Sequence, residues 1–287
     1  MSIITFTLII TILTSFPLRF LYFLRNEPDA VRVLRAVLGG DCHHLDNSFI
    51  PREINAPDGS LIALVDVLGQ GSFGTVFHGI MRHSGALCAV KAHRIDGMCS
   101  REDFVAQITH EEKVLQQLPQ VIAYNGTRGS RTVLLLQDVG VTLARYLHGK
   151  TKAARRNIAR TVERELIAGL DAALRVGYCH ADLRPDNVLF VQRTGHFQIV
   201  DWSLCVQPHT LTHPHKGGKA FFADSLVLAA DSDDWPALFD PRFDRESVFY
   251  IACSVVIGGR NLSVPWAGDG GQALVDARNR EIAKEGI

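Results

Sequence analysis

The sequence has no excess of either charge. Lysine and arginine total 30, aspartate and glutamate also total 30, and the formal net charge is zero. A dedicated nucleic-acid-binding protein is usually strongly basic, so the balance argues against that class. Repeats and low-complexity segments are also missing, and 47% of the 287 residues are hydrophobic. We therefore expect a folded chain with a sizeable core. We also expect the chain to be a monomer.

Paired cysteines are missing too. The six cysteines are scattered, and none forms a CxxC pair or has a cysteine–histidine spacing typical of zinc sites. The sequence therefore favours neither a zinc protein nor a disulfide scaffold. It fits a reducing, cytoplasmic compartment.

Charged side chains are absent before Arg19, and most of these first residues are apolar. Residues 20–24 then continue the apolar run. About eighteen uncharged residues is the lower limit for a membrane-spanning helix, and no basic residue precedes them as in a secretory signal. The basic residues that follow would keep the rest of the chain in the cytoplasm. Residues 3–24 are thus a membrane anchor, a buried or interfacial helix, or sequence added by a mis-assigned start.

Hydrophobic periodicity predicts a strand-rich region followed by a helical one. The predicted strands of the first region are 61–68, 75–79, 86–92 and 132–136, with a helix at 101–118. The second region has predicted helices at 154–177 and about 245–257, and strands at 188–191 and 197–200. We divide the chain into an apolar segment (1–25), a leader with a short helix near 30–38 (26–60), and two lobes (61–140 and 141–287). A cleft between the lobes is expected to hold the ligand.

A glycine-rich turn separates the first two predicted strands, with the sequence LGQGSFGTV at 68–76. Glycines let a backbone turn sharply and approach a phosphate closely. Because no helix follows this turn, it does not match the dinucleotide-binding pattern. Phe73 and Val76 make the motif more specific than the glycine spacing alone.

Three further motifs carry polar residues. CAVK (88–91) ends a strand at Lys91, and YCHADLRPDNVLF (178–190) follows the long helix. QIVDWS (198–203) places Asp201 after the last short strand. In this order, the motifs resemble the Gly-rich loop, VAIK lysine, HxDxxxxN loop and DFG aspartate of eukaryotic protein kinases.

The resemblance covers about residues 61–266 and implies an α+β, bilobal kinase fold with a strand-rich N-lobe and a helical C-lobe that looks truncated. It also implies transfer of the ATP γ-phosphoryl group to a serine or threonine hydroxyl of a protein substrate, with Mg²⁺. The segment DRESVFYI (244–251) is closest in spelling to the casein-kinase-one and vaccinia-related-kinase branch, and is similar to some fungal and viral kinases.

The resemblance implies catalytic and metal-binding roles for four residues. Asp182 would orient the substrate hydroxyl. Arg184, where serine/threonine kinases carry lysine, would contact the transferring phosphoryl group. Asn187 and Asp201 would bind Mg²⁺.

Nucleotide contacts are implied in the same way. Lys91 would hold the α- and β-phosphates, with Glu111 as its partner and Glu112 as the fallback. The other expected nucleotide contacts are Gly69, Gly71, Ser72, Gly74, Val76, Ala89, Gln137 and Val139. Asp244 is expected to bond the catalytic-loop backbone, and His180 to be a packed structural histidine.

The sequence departs from the kinase pattern where kinases are regulated. Ala181 replaces the HRD arginine that usually receives an activation-loop phosphate, so we expect no phosphorylation gating. Trp202 and Ser203 replace the last two DFG residues, and KAFFADS (219–225) lacks the APE proline and glutamate. Two alternatives therefore stay open: a pseudokinase acting as a binding module, and a small-molecule kinase of the aminoglycoside or choline type.

Overall fold

A computed structural model describes residues 53–55, 61–71, 74–93, 101–118, 126–128, 131–136, 140–212, 220–230, 237–258, 262, 264–267 and 271–287. The chain divides into two compact units, Met1–Val139 and Gly140–Ile287. The apolar run 3–24 and the helix expected near 30–38 lie outside the described residues. Within the described residues, no helix is both long and apolar enough to cross a membrane.

The described part of the first unit is an antiparallel sheet with one helix. Its elements are β1 (Glu53–Asn55), β2 (Leu61–Gly71), β3 (Gly74–Met81), β4 (Leu87–His93), α1 (Arg101–Gln117), β5 (Gly126–Arg128) and β6 (Arg131–Leu136). The strand order is β1-β2-β3-β4-β6-β5. The four predicted strands and the predicted helix of this unit are confirmed. β1, inside the segment predicted as leader, also pairs with β2.

The second unit is mainly helical. Its elements are β7 (Val141–Thr142), α2 (Leu143–Tyr146), α3 (Lys152–Arg175), β8 (Val188–Val191), β9 (His196–Ile199), β10 (Leu211–Thr212), α4 (Asp224–Ala230), β11 (Ala237–Leu238), α5 (Pro241–Ile257) and α6 (Gly271–Glu285). A short 3-10 turn, Pro185–Asn187, precedes β8. Both predicted helices and both predicted strands are confirmed. α6 follows α5 and was not predicted.

Local capping explains where the long helices begin. The Thr151 side chain accepts a hydrogen bond from the Ala154 amide and starts α3. The Asp240 side chain accepts from the Arg242 amide, and Pro241 occupies the first position of α5, where its missing N–H costs nothing. α3 packs along α5, and its apolar stripe supplies buried residues at every third or fourth position.

An apolar cluster, here called the helical core, lies beneath the segment 178–183. It joins Cys179 and Ala181 to side chains from around α4, α5 and α6. Those partners are Phe222, Ala223, Leu226, Val227, Phe239, Val264, Trp266, Leu274 and Val275. Ala181 therefore contributes a methyl group to the core, where the kinase pattern has a long cation.

A buried arginine ties α6 to the segment before α4. Arg278 is fully buried, and its guanidinium donates to the Phe222 carbonyl at 2.8 Å and forms an ion pair with Asp224. Its Cζ lies 3.4 Å from the centroid of the Tyr250 ring on α5. Burial raises the pKa of the Tyr250 hydroxyl, which stays protonated and lies 3.0 Å from an oxygen of Asp224 and of Glu246. We call these contacts the Arg278 network.

Removing the Arg278 charge should destabilise the helical unit. Arg278→Met keeps the length of the side chain but leaves the Phe222 carbonyl and the Asp224 carboxylate without their donor. We expect the free energy of unfolding to fall by about 3 kcal/mol, measured by urea denaturation. Arg280→Met, on the exposed side of the same helix, is the control and should change stability by less than about 0.5 kcal/mol. Equal effects of the two substitutions would contradict this account.

Candidate active site

Lys91 forms a buried ion pair with Glu111. Its Nζ lies 2.8 Å and 2.9 Å from the two carboxylate oxygens of Glu111, and the two residues are only 7% and 2% exposed. β4 carries the lysine and α1 carries the glutamate. Of the two glutamates that the sequence left open, Glu111 is thus the one paired with Lys91. Burial strengthens the pair and holds the ammonium group in one place.

Strand register places three of the expected nucleotide contacts on one face of the sheet. Val76 on β3 is the direct partner of Lys91 on β4, and Ala89 lies two residues before Lys91. Directly paired residues and residues two apart point to the same side of a sheet. Val76, Ala89 and Lys91 therefore share a face.

The glycine-rich turn leaves room next to this face. Gly69 and Gly71 end β2, and Gly74 begins β3. A Cβ atom at Gly69 would meet nothing within 4 Å, so the backbone there is open to an approaching ligand. Ser72, Gln137 and Val139, which the sequence also placed at the nucleotide, lie outside the described residues.

A buried carboxylate from α5 holds the loop that precedes Asp182. Asp244 is 3% exposed, and its two oxygens accept the His180 amide at 2.6 Å and the Ala181 amide at 3.0 Å. Burial raises the pKa of Asp244, against the opposing effect of the hydrogen bonds from the two amides. The sequence predicted this role for Asp244, and these contacts confirm it.

The His180 ring is a structural link between two parts of the unit. Its Nδ1 accepts the Asp182 amide at 3.3 Å, which leaves Nε2 to donate to the Val200 carbonyl at 3.1 Å. The ring is fully buried and packs edge-on against Trp202 at 4.8 Å. The expectation of a packed structural histidine is therefore confirmed.

The backbone is strained at the residue before Asp182 and again at Asp201. Ala181 and Asp201 each have a φ of 63°, the left-handed region that side chains with a Cβ rarely adopt. Such strain persists only where surrounding contacts impose it, and it is commonest at functional sites. Nothing in the residue types themselves signals it, so the sequence did not predict this feature.

Hydrogen bonds join Asn187 to Asp182 and to Val200, the residue before Asp201. The Asn187 Nδ2 donates to the Asp182 carbonyl at 2.8 Å and lies 3.3 Å from Asp182 Oδ2. The Val200 amide, next to Asp201, donates to the Asn187 carbonyl at 2.9 Å. Because the amide nitrogen faces Asp182, the side-chain oxygen of Asn187 is the atom suited to a cation.

The oxygen groups of this site fit a hard divalent cation. Asp201 supplies a carboxylate and Asn187 an amide oxygen, which are ligands that Mg²⁺ prefers. The described residues contain no group of three or more histidine, cysteine, aspartate or glutamate side chains able to hold a metal alone. A magnesium ion here would therefore also need oxygen ligands from phosphates and water, as is usual for this ion.

Arg184 places a positive charge beside Asp182. Its Nε lies 4.0 Å from Asp182 Oδ2 and 3.8 Å from Asp186 Oδ2, and that nitrogen is buried without a hydrogen-bond partner. A buried N–H group that has no acceptor is suited to donating a hydrogen bond to an anionic ligand. Lys91 and Glu111 belong to the first unit, whereas Asp182, Arg184, Asn187 and Asp201 belong to the second.

Replacing Asp244 by asparagine should loosen the loop. One accepting oxygen becomes a donating NH₂ group that faces a backbone N–H, so one amide loses its acceptor. We expect a loss of about 2–3 kcal/mol in unfolding free energy and faster hydrogen exchange at His180 and Ala181. The matched control is Asp276→Asn, because Asp276 is exposed on α6 and accepts a hydrogen bond from the exposed Gln272 side chain. Unchanged exchange at both amides would contradict the role of Asp244.

Known proteins with similar sequences include several named as protein kinases, some of them as serine/threonine kinases. The chain is 27% identical over 155 residues to a probable serine/threonine-protein kinase of Dictyostelium discoideum, covering 52% of this chain and 11% of that protein. It is 30% identical over 175 residues to mitogen-activated protein kinase kinase kinase 2 of Arabidopsis thaliana, covering 56% and 27%. For the serine/threonine protein kinase ypkA of Aspergillus fumigatus the values are 28%, 58% and 27%. The chain thus spans about a tenth to a quarter of these relatives' lengths.

A family model described as protein kinase domain matches residues 62–231. This range contains the glycine-rich turn, the Lys91–Glu111 pair and the loop from His180 to Asp201, and it covers more than half of the chain. The α+β architecture, with a sheet-rich first unit and a helical second unit, agrees with it. The chain belongs to the protein kinase domain family.

Proposed function

We propose that the chain is an active serine/threonine protein kinase that transfers the γ-phosphoryl group of ATP to a hydroxyl of a protein substrate. The main observation that supports this proposal is the Lys91–Glu111 ion pair, in which both carboxylate oxygens accept hydrogen bonds from the buried ammonium group. A chain that serves only as a binding module has no need to keep two charges buried, because desolvating them is costly. The pair therefore supports catalysis over the pseudokinase alternative.

The nucleotide would be held by the first unit. Glu111 fixes the Lys91 ammonium, which would bind the α- and β-phosphates. Val76 and Ala89 offer an apolar surface on the same face for the adenine ring. The backbone of Gly69, Gly71 and Gly74 would approach the phosphates, and Ser72, Gln137 and Val139 are proposed contacts from the sequence alone.

The chemistry would take place at the second unit. Asp182 would accept a hydrogen bond from the substrate hydroxyl and orient its oxygen for in-line attack. Asn187 and Asp201 would hold Mg²⁺, and the metal–ATP complex supplies the phosphoryl donor with its charge partly neutralised. The Arg184 guanidinium would add positive charge beside Asp182 where negative charge develops.

We also propose that this kinase works without phosphorylation of its activation segment. Ala181 lies in the helical core with Phe222 and Ala223, so its position is apolar and carries no charge to bind a phosphate. The segment before α4 is held instead by the Arg278 network. These contacts involve no phosphate group and support an ungated enzyme.

The proposal also covers the kinase branch, the oligomeric state and the cellular location of the protein. The DRESVFYI spelling supports the casein-kinase-one and vaccinia-related-kinase branch, and this rests on sequence alone. We propose a monomer that acts in the cytoplasm. Anchoring through residues 3–24 remains a hypothesis from the apolar run.

Phosphoryl transfer should depend on Asp182. Purified full-length chain with Mg-ATP should label itself or a generic protein substrate, and Asp182→Asn should reduce labelling by about 10³-fold or more, because the hydroxyl is no longer oriented. Asp186→Asn is the matched control, since its side chain is 80% exposed four residues away, and it should stay near wild type. Lys91→Met should weaken labelling severely.

The choice of acceptor separates the alternatives. Binding of Mg-ATP with no transfer to any protein would contradict the leading proposal. Transfer to an aminoglycoside or choline in the same assay would then support the small-molecule kinase, and no transfer at all would support the pseudokinase. A peptide array combined with these two small acceptors covers all three outcomes.

Activity should survive dephosphorylation. Chain treated with a broad phosphatase, which is then removed, should keep its initial rate within about twofold, because no phosphate–arginine contact orders the segment. Mass spectrometry verifies that phosphate is absent, and Asp182→Asn shows that the signal is not from a contaminant. A loss of tenfold or more, restored by autophosphorylation, would contradict the ungated proposal.

A further inference from the structure

Ser203 makes a contact with Asp201 that the proposed mechanism does not use. Its Oγ donates a hydrogen bond to Asp201 Oδ1 at 2.7 Å. The residue is only 6% exposed, so water competes poorly for the hydroxyl. In the kinase pattern this position is a glycine, which has no side chain to make such a contact.

The turn that carries both residues is held rigidly. Between them, Trp202 is buried, packs edge-on against His180 and donates from Nε1 to the Ile199 carbonyl at 3.4 Å. Asp201 itself is fixed in the left-handed region, with a φ of 63°. The serine hydroxyl and the carboxylate therefore cannot easily move apart.

We propose that Ser203 is a positioning residue for the metal-binding carboxylate of Asp201. The hydroxyl occupies one lone pair of Oδ1 and thereby fixes the rotation of the carboxylate about its Cβ–Cγ bond. The remaining oxygen lone pairs then point in one direction, ready for a divalent cation. Hydrogen bonds of this kind to a metal ligand commonly contribute about 10- to 100-fold to metal affinity or activity.

This inference rests on the proposed function, because it assumes that Asp201 binds a cation together with a nucleotide. It adds a role that the DFG pattern does not contain. Ser203 would help to orient the Asp201 carboxylate, which depends on other contacts when a glycine stands at position 203. A serine that serves only the fold would affect stability without changing metal affinity, and this difference can be measured.

Metal affinity is the decisive measurement. Full-length chain saturated with ADP is titrated with Mn²⁺, and free Mn²⁺ is followed by electron paramagnetic resonance. Ser203→Ala should weaken Mn²⁺ binding about tenfold or more, because the carboxylate loses its orienting donor. Ser203→Thr keeps the hydroxyl and should retain affinity close to wild type. ADP affinity measured without metal should be the same in all three proteins.

Two further variants serve as controls for the Mn²⁺ titration. Ser254→Ala is the matched control, since Ser254 is fully buried on α5 and donates to the Ile251 carbonyl at 2.7 Å, far in sequence from Asp201. It should leave Mn²⁺ affinity unchanged while removing a hydroxyl of similar burial. Asp201→Asn should abolish the site and sets the lower limit of the titration.

The possible outcomes distinguish the role of Ser203 from the metal site and from the proposed function. Wild-type Mn²⁺ affinity in Ser203→Ala, with a native thermal unfolding curve, overturns the role of Ser203 and leaves the proposed function standing. A wild-type chain that binds ADP but no Mn²⁺ overturns both the metal site and this inference. If Ser203→Ala unfolds, Ser203→Thr decides instead: it must keep affinity, and a tenfold loss with a native unfolding curve overturns the inference.

Discussion

The carboxylate of Asp244 is the contact on which the candidate active site depends. It accepts two consecutive backbone amides, at His180 and Ala181, from inside the helical unit. Burying a carboxylate is costly, and the two short hydrogen bonds offset that cost. They also hold Ala181 in a left-handed conformation that alanine would otherwise leave. Asp182 is the next residue, so its backbone position is set by a helix that begins about sixty residues later in the chain.

The rest of the helical unit keeps that carboxylate in place. α5 packs along α3, and the helical core joins the loop before Asp182 to α4 and α6. The Arg278 network closes the arrangement at the segment before α4 through a fully buried guanidinium. Packing and buried polar contacts here support each other, because the packed core holds in place the hydrogen-bond partners that replace water around Arg278 and Asp244.

Local patterns predicted most of the elements, and the motifs between them are the basis for the proposed site residues. Periodicity is a property of neighbouring residues, so it identified α3, α5 and the strands around the glycine-rich turn. It missed β1, which has only three residues, and α6, whose arginine at 278 reads as a surface residue until a distant carboxylate is found. The sequence preferred Glu111 over Glu112 as the partner of Lys91, and the folded helix α1 brings Glu111 to Lys91. Left-handed backbone and the Ser203 contact depend on the folded environment and have no signal in the residue order.

The departures from the kinase pattern share one physical consequence. Ala181 puts a methyl group into an apolar core, Trp202 packs against His180, and Ser203 bonds Asp201. Two of the replaced residues belong to the parts by which kinases change state: a phosphate-binding arginine at position 181 and a flexible glycine at position 203. Each replacement forms a contact that needs no modification. A switch requires two arrangements of similar free energy. In the ungated kinase that we propose, contacts that stabilise only one arrangement would remove the switch while leaving Lys91, Asp182, Asn187 and Asp201 in place.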